Sequence, residues 1–290
     1  MRTVAARRAA FQALHLEGCF VLPNPWDIGS TKYLEWIGFK AIATTSAGFA
    51  FSRGLSDGSV GLEAMLTHIR EIVEAADLPV NADFENGYAH DPDGVATNVR
   101  RCVETGVAGL SVEDNSGQSD RPLYEIDLAV ERIKAAREAI GDSGVVLTAR
   151  AECFLVGVTD LDEVVRRLIA YADAGADCLY APGIKLREHI VKVVEVVAPK
   201  PVNLLISDLA GANGAVASIR DAEEVGVRRV SVGGALARAA WGGFARASKQ
   251  LAEQGTFEGF SGAMPHAELQ RLFAKPKIES EPASSRADRF

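Results

Sequence analysis

Cysteine is scarce: the 290-residue chain has four, Cys19, Cys102, Cys153 and Cys178, with no Cys-x-x-Cys spacing and no histidine pair beside them. Neither a zinc module nor a disulfide framework is indicated, and each thiol is expected to serve as a small buried hydrophobe. Membrane-length apolar runs are also missing. Residues 1–13 carry Arg2, Arg7 and Arg8 but no apolar stretch like that of a secretory signal, so a cytoplasmic protein with no membrane partner is expected. There is no excess of basic charge. With 31 Lys and Arg against 39 Asp and Glu, interspersed to a net −8, a nucleic-acid surface is not expected. No Gly-x-Gly-x-x-Gly follows the first strand-like run, which removes the signature of a dinucleotide-binding sheet.

What is present is a repeated alternation of short apolar or β-branched runs with amphipathic stretches of helical length. Strand-like runs fall at residues 19–22, 41–45, 79–84, 109–113, 145–150, 178–181, 202–206 and 229–232. Helical stretches fall at 29–37, 62–76, 92–105, 125–140, 160–174, 187–197, 214–225 and 236–254. Four runs are preceded by glycine and a hydrophobic or small residue (Gly38-Phe39, Gly106-Val107, Gly175-Ala176, Gly226-Val227), the turn that ends a helix and returns the chain to a barrel. Eight such units predict a (β/α)₈ TIM-type barrel over residues 1–254, matching the roughly 250 residues such barrels use. Residues 255–274 read as a C-terminal helical appendage packing on a neighbouring subunit, its short helix at 267–273. Residues 275–290, rich in Lys, Glu, Pro, Ser and Arg, read as a flexible tail.

In such a barrel the chemistry gathers at the C-terminal strand ends. Asp83 and Glu85 end the third run, two apart and so on one side of the strand, and Glu113-Asp114 add one or two carboxylates from the fourth. Acids converging without histidine would repel one another unless a hard cation sat among them. None of His15, His68, His90, His189 and His266 falls at a strand end, although His90 is near. Mg²⁺, with Mn²⁺ as a substitute, fits such a donor set, whereas zinc would want His or Cys. The plainer role for acids here is capping, as expected for Asp91 and Asp127. Arg150 and Glu152 end the fifth run, and Arg150 is either a fork for a substrate carboxylate or phosphonate, or an ion-pair partner of Glu152. Thr44-Thr45-Ser46-Ala47-Gly48 offers hydroxyls and small residues to an anion. Asp57 reaches the metal through water or starts the next helix. Gly211-Ala212-Asn213-Gly214 and Gly233-Gly234 stand where many barrels hold phosphate, though tight turns explain them as well.

Together, Thr45-Ser46-Ala47-Gly48, Asp57, Asp83-Phe84-Glu85-Asn86-Gly87-Tyr88, Glu113-Asp114 and Thr148-Ala149-Arg150-Ala151-Glu152 resemble the isocitrate lyase/phosphoenolpyruvate mutase superfamily in type, order and spacing, over roughly residues 11–253. The resemblance implies Asp83 as the direct Mg²⁺ ligand, with Asp57, Glu85 and Glu113 holding its waters. It implies Ser46, the backbone of Ala47 and Gly48, and Arg150 as the grip on a 2-oxo acid carboxylate. It further implies enolate chemistry at a C–C or C–P bond, with Arg150 and Glu113 as catalytic groups, in a dimer or tetramer that exchanges C-terminal helices.

Two departures obscure the reaction. The loop 115–122 lacks the cysteine of the lyases and offers only Asn115 or Arg121 in place of the mutase groups. Where lyases have Glu and mutases His after the sixth strand, this chain has Tyr180-Ala181-Pro182-Gly183. Retro-aldol cleavage or decarboxylation of a small 2-oxo or 2-hydroxy carboxylate tolerates those losses best. Mutase- or phosphonopyruvate hydrolase-like C–P chemistry and a non-catalytic 2-oxo acid-binding protein are the alternatives. Asn203 is a candidate substrate contact. Tyr88, Tyr124, Tyr180, Glu152 and Asn203 are candidate proton carriers, with no base assignable among them.

Overall fold

Strands that are covered on both faces must be apolar throughout, and that is what makes the eight runs visible in the sequence. The computed structural model describes residues 2–208 and 216–274. Its strands are β1 (Phe20–Leu22), β2 (Ile42–Ala43), β3 (Val80–Asp83), β4 (Gly109–Glu113), β5 (Val146–Arg150), β6 (Cys178–Tyr180), β7 (Val202–Leu205) and β8 (Arg229–Ser231). All pair in parallel in the order β1-β8-β7-β6-β5-β4-β3-β2. The last gap is bridged by side-by-side contacts: Ala43 N–H donates to the Pro23 carbonyl at 3.0 Å, and Asn24 Nδ2 to the Thr44 carbonyl at 2.8 Å. The result is a nearly closed (β/α)₈ barrel.

The helices are α1 (Val4–Leu14), α2 (Ile28–Ile37), α3 (Ser46–Ser52), α4 (Leu62–Ala75), α5 (Pro92–Glu104), α6 (Ile126–Ile140), α7 (Leu161–Asp173), α8 (Arg187–Val197), α9 (Ile219–Glu224), α10 (Ala235–Gln254) and α11 (His266–Ala274). The four glycines expected to end helices all have left-handed backbone, with φ of 99°, 90°, 101° and 81° at Gly38, Gly106, Gly175 and Gly226. The helix expected over 214–225 is shorter, opening where the Ser218 hydroxyl accepts the Asp221 N–H. Residues 214 and 215, the loop Gly211-Ala212-Asn213-Gly214 and the expected tail 275–290 lie outside the described residues.

Two helices were not expected. α1 plugs the base of the barrel: Phe11 is fully buried, and a Cβ on Gly109 would meet its ring at 2.6 Å, so only glycine fits there. Arg8 ties the plug to the carbonyls of Val107, Ser143 and Val103. α3 opens directly from β2, capped by the Thr45 hydroxyl.

Register fixes what faces the barrel interior. Glu113, Arg150, Tyr180, Asn203, Arg229 and Phe20 are successive partners across β4, β5, β6, β7, β8 and β1. They end or nearly end their strands at one side of the barrel and begin them at the other, since the sheet is sheared. One row of inward side chains therefore descends from the mouth to the base. None of the helices among the described residues is long and apolar enough to cross a membrane.

Candidate active site

A cavity of about 180 Å³ opens at the C-terminal strand ends, scaled to a small acid rather than a nucleotide. Its centre is Arg150, which gives each guanidinium nitrogen to a different carboxylate. Nη1 lies 2.8 Å from Asp83, Nη2 3.1 Å from Glu113 and Nε 2.9 Å from Glu152. The pairing with Glu152 that the sequence left open is thus present, together with two more. Asp83 Oδ2 accepts the Ser46 N–H at 2.9 Å and lies 3.0 Å from Ser46 Oγ, which also lies 3.3 Å from Asp57 Oδ1. The Thr44 hydroxyl holds the Asp83 N–H at 2.9 Å, tying the ends of β2 and β3. Asp57 does not start the next helix, which follows Gly61. It belongs to the chain of contacts running through Ser46 and Asp83 to Arg150.

Electrostatics follow from crowding five acids around one cation. Burial, and then Asp83, raises Asp57, and the same two causes push Glu85 up to about 7. Burial raises Glu113 and Glu152 despite the opposing pull of Arg150. Glu85 and Tyr88 have φ of 44° and 56°, a left-handed conformation that costs a residue with a Cβ about 1–2 kcal/mol each. Arg132 holds this turn through the carbonyls of Ala89, His90 and Asn86. The turn leaves Glu85 Oε1 buried without a hydrogen-bond donor.

That orphaned oxygen and the raised acids are what a cation would relieve. Among the described residues no three His, Cys, Asp or Glu side chains form a cage for a bare ion. A hydrated divalent cation, which takes one or two carboxylates directly and keeps several waters, needs no such cage.

Several expected residues sit differently. Asp114 points away from the cavity, because neighbours on a strand face opposite sides. Its carboxylate accepts the Glu152 N–H at 2.8 Å, Arg167 Nη1 at 3.0 Å and the Tyr171 hydroxyl at 2.6 Å, so it positions Glu152 and through it Arg150. The Gly48 N–H donates to Thr45 Oγ1 at 3.2 Å and a Cβ there would meet Thr45 and Trp26 at 2.6 and 3.0 Å, so Gly48 serves cap and packing and its amide is not free for an anion. Asn203 lines the cavity, but Oδ1 accepts from Arg229 Nε at 2.7 Å and Nδ2 donates to Ser231 Oγ at 2.9 Å. Its amide is thus oriented by the protein at both ends, with its second N–H and second lone pair not used by these two bonds. Gly233 is a tight turn: its N–H and that of Val232 donate to Asn24 Oδ1 at 2.8 and 3.0 Å, leaving neither for a phosphate.

The loop 115–122 folds back as a small hairpin in which Asn115 bridges Leu123 and the Ser116 N–H donates to the Pro122 carbonyl at 2.9 Å. Among the described residues no histidine or cysteine lines the cavity, and the four thiols are free, three of them buried. Arg229 and Ser231 were not anticipated, because an arginine at the start of an apolar run shows no sign of its inward direction until the register is known.

A family model described as phosphoenolpyruvate phosphomutase matches residues 11–252. The chain belongs to this family. A solved structure of a candidate lyase/mutase from Burkholderia cenocepacia J2315 is 46% identical, covers 94% of this chain and 98% of its own, and superposes with a TM-score of 0.90. The structure of a 2,3-dimethylmalate lyase, itself described as a PEP mutase/isocitrate lyase superfamily member, is 29% identical over 94% of this chain and 95% of its own, with a TM-score of 0.81. An oxaloacetate decarboxylase of Bradyrhizobium sp. (strain ORS 278) is 30% identical over 65% of this chain and 67% of its own. This phosphoenolpyruvate mutase-family chain is therefore an enzyme-superfamily member whose relatives include lyases and mutases.

Proposed function

We propose that the chain is a Mg²⁺-dependent carbon–carbon lyase that acts on a small 2-oxo or 2-hydroxy carboxylate through an enolate, with oxo-acid decarboxylation as the favoured reaction. The observation that carries this reading is the Arg150–Asp83–Ser46–Asp57 cluster at the mouth of a cavity without histidine or cysteine. Such a site can hold a charged carboxylate and stabilise an enolate. Among the described residues it has no imidazole or thiol base of the kind other bond cleavages draw on.

Asp83 would hold the metal directly, with Asp57, Glu85 and Glu113 on its waters. The chemistry such a cation supplies is Lewis-acid stabilisation of an enolate oxygen. The Ser46 hydroxyl, the Ala47 N–H and Arg150 would bind the substrate carboxylate, the guanidinium turning part of its fork from Asp83 towards the ligand. Arg150, which lines the cavity, would face the reacting carbon, with Glu113 behind it as its ion-pair partner at 3.1 Å. The similarity to an oxaloacetate decarboxylase supports this choice of reaction, and the similarity to a 2,3-dimethylmalate lyase supports carbon–carbon cleavage in general.

The assembly we propose is a homo-oligomer built on α10 and α11. Trp241, Phe244, Phe257 and Phe260 are 45%, 62%, 70% and 50% exposed, a run of large apolar side chains suited to a second copy. α11 itself lies near α2, with Phe273 Cζ 3.8 Å from where a Cβ on Gly29 would be.

Pyruvate release from oxaloacetate, coupled to lactate dehydrogenase, tests the reaction. Turnover is expected to vanish on chelation, return with Mg²⁺, and fall roughly a hundredfold or more in Asp83→Ala. Turnover that persists without divalent metal would sink the proposal. Release of phosphate, or formation of phosphoenolpyruvate, from phosphonopyruvate by phosphorus NMR would move the assignment to C–P chemistry.

A further inference from the structure

Below Arg150 the descending row of inward side chains forms a hydrogen-bond chain, Arg229–Asn203–Ser231, whose direction can be read from donor and acceptor chemistry. Arg229 has only donors. Its Nε lies 2.7 Å from the Asn203 side chain, so the atom facing it must be the carbonyl oxygen. The Asn203 NH₂ therefore faces Ser231 and donates to its Oγ at 2.9 Å. Ser231 keeps its own proton and a second lone pair, and it shares the wall of the cavity with Tyr180. Tyr180 is 8% exposed and lines the same cavity.

The anchor of this chain is fixed from below. Arg229 Nη2 donates to Thr148 Oγ1 at 3.0 Å, and Nη1 lies 3.3 Å from His15 Nε2. His15 Nδ1 is bonded to the Phe11 carbonyl at 2.8 Å and must be its donor, which leaves Nε2 as an acceptor. All three partners of Arg229 are neutral groups. Above, the Arg150 guanidinium carbon stands 5.1 Å from the centre of the Tyr180 ring, which fixes the ring and favours negative charge on its oxygen.

We propose that Tyr180 is the proton donor of the reaction, set in the cavity wall between the Arg150 guanidinium and the chain Arg229–Asn203–Ser231. The inference rests on the enolate reading above and supplies the acid that Pro182 and the cysteine-free loop leave unaccounted for. In the step, the enolate C=C electron pair forms a C–H bond with the phenol proton as the Tyr180 O–H bond breaks. The carbonyl re-forms, and the phenolate beside Arg150 regains its proton from water entering at the mouth. Burial pushes the Tyr180 phenol up to about 12, so it carries its proton at neutral pH.

The test uses pyruvate in D₂O with Mg²⁺, following methyl-proton exchange by proton NMR, beside calorimetric binding of oxalate as an enolate mimic. Tyr180→Phe is expected to lower exchange roughly a hundredfold or more while oxalate affinity stays within about threefold. Exchange within about threefold of the parent protein, or an equal loss of oxalate affinity, would overturn the assignment. Should Tyr180→Phe fail to fold, Ser231→Ala keeps the phenol and removes the last hydroxyl of the chain beside it in the cavity wall. Exchange about tenfold lower with oxalate binding retained supports the chain, and unchanged exchange refutes it. A parent protein that binds oxalate but neither exchanges pyruvate protons nor turns over an oxo acid overturns the enolate reading itself, and this inference with it.

Discussion

Replacing Arg150 with methionine keeps the length and apolar stem of the side chain and removes the one cation that Asp83, Glu113 and Glu152 share. The side chains concerned are 14% exposed for Arg150 and 19%, 13% and 2% for the three acids, so little water is available to take over. Breaking a buried ion pair from one side costs about 3–5 kcal/mol. Glu152 should approach that figure, while Asp83 and Glu113 are discounted for their partial exposure. The acids have a second response, which is to take up protons. Burial already raises Glu113 and Glu152 in the parent protein, and losing Arg150 raises them further. A carboxyl raised on folding contributes stability below its unfolded value and loses it as pH rises through the folded value. The deficit in Arg150→Met therefore grows with pH, to about 3–5 kcal/mol at pH 8 and about 1–2 kcal/mol near pH 6. At roughly 2–4 °C per kcal/mol the fall in Tm is about 6–20 °C at pH 8. Arg150→Lys should lie between the two, since a single ammonium cannot reach three acids held by three different nitrogens. Thermal unfolding followed by circular dichroism at both pH values measures this. A drop under about 2 °C, or one equal at both pH values, would refute the account of Arg150 as the shared counter-ion.

The Glu85 carboxyl, pushed up to about 7, gives the metal-free protein stability at low pH that is lost as pH rises through 7. Tm without metal should fall between about pH 5 and 8, and divalent-cation affinity should rise by up to about tenfold per pH unit before levelling above 7, with a flat calorimetric profile counting against it. Phe11→Ala, which empties the fully buried plug of the barrel base, should cost about 3–5 kcal/mol in denaturant unfolding and leave turnover per folded molecule unchanged. Phe244→Asp, at a side chain 62% exposed on α10, should give a monomer by light scattering with Tm within a few degrees of the parent, and an unchanged oligomer would show that another face pairs.

The barrel was legible because its determinants are local. Each strand is a short apolar run, and the glycines that end the helices precede the strands they return the chain to. The acids Asp83 and Glu85 stood out by their spacing at a strand end. α1 escaped notice because a plug needs only Phe11 and a few arginines that bond to carbonyls, and those arginines read as surface charge. α3 was hidden because Thr45-Ser46-Ala47-Gly48 has the composition of a turn, although Thr45 is its N-cap. The opposite facing of Glu113 and Asp114 was available from strand alternation, but the partners that make Asp114 structural, Arg167 and Tyr171, come from a distant helix. Arg229 depends on register and shear, properties of the whole barrel that no window of sequence contains.

Arg229 also allows stability and chemistry to be separated with a change of one atom type. In Asn203→Asp the oxygen already facing Arg229 Nε at 2.7 Å becomes half of a carboxylate, and the group facing Ser231 changes from donor to acceptor. The guanidinium, which has only neutral partners, gains an ion pair inside a site whose desolvation it has already undergone. Stability should therefore rise, by roughly 1–2 kcal/mol. Ser231 must now turn its proton towards residue 203, which reverses the last link of the chain beside Tyr180 in the cavity wall. Proton exchange on bound pyruvate should fall about tenfold or more in a protein that melts higher than its parent. A purely structural role for the row predicts the two properties moving together, with a more stable barrel at least as active. Asn203→Leu, which removes both bonds at similar volume, completes the comparison: it should lose stability by leaving Arg229 Nε unpaired, and lose exchange as well. If Asn203→Asp melts higher and exchanges as fast as the parent protein, the direction of the chain does not matter to the reaction, and Tyr180 is held in place by packing alone.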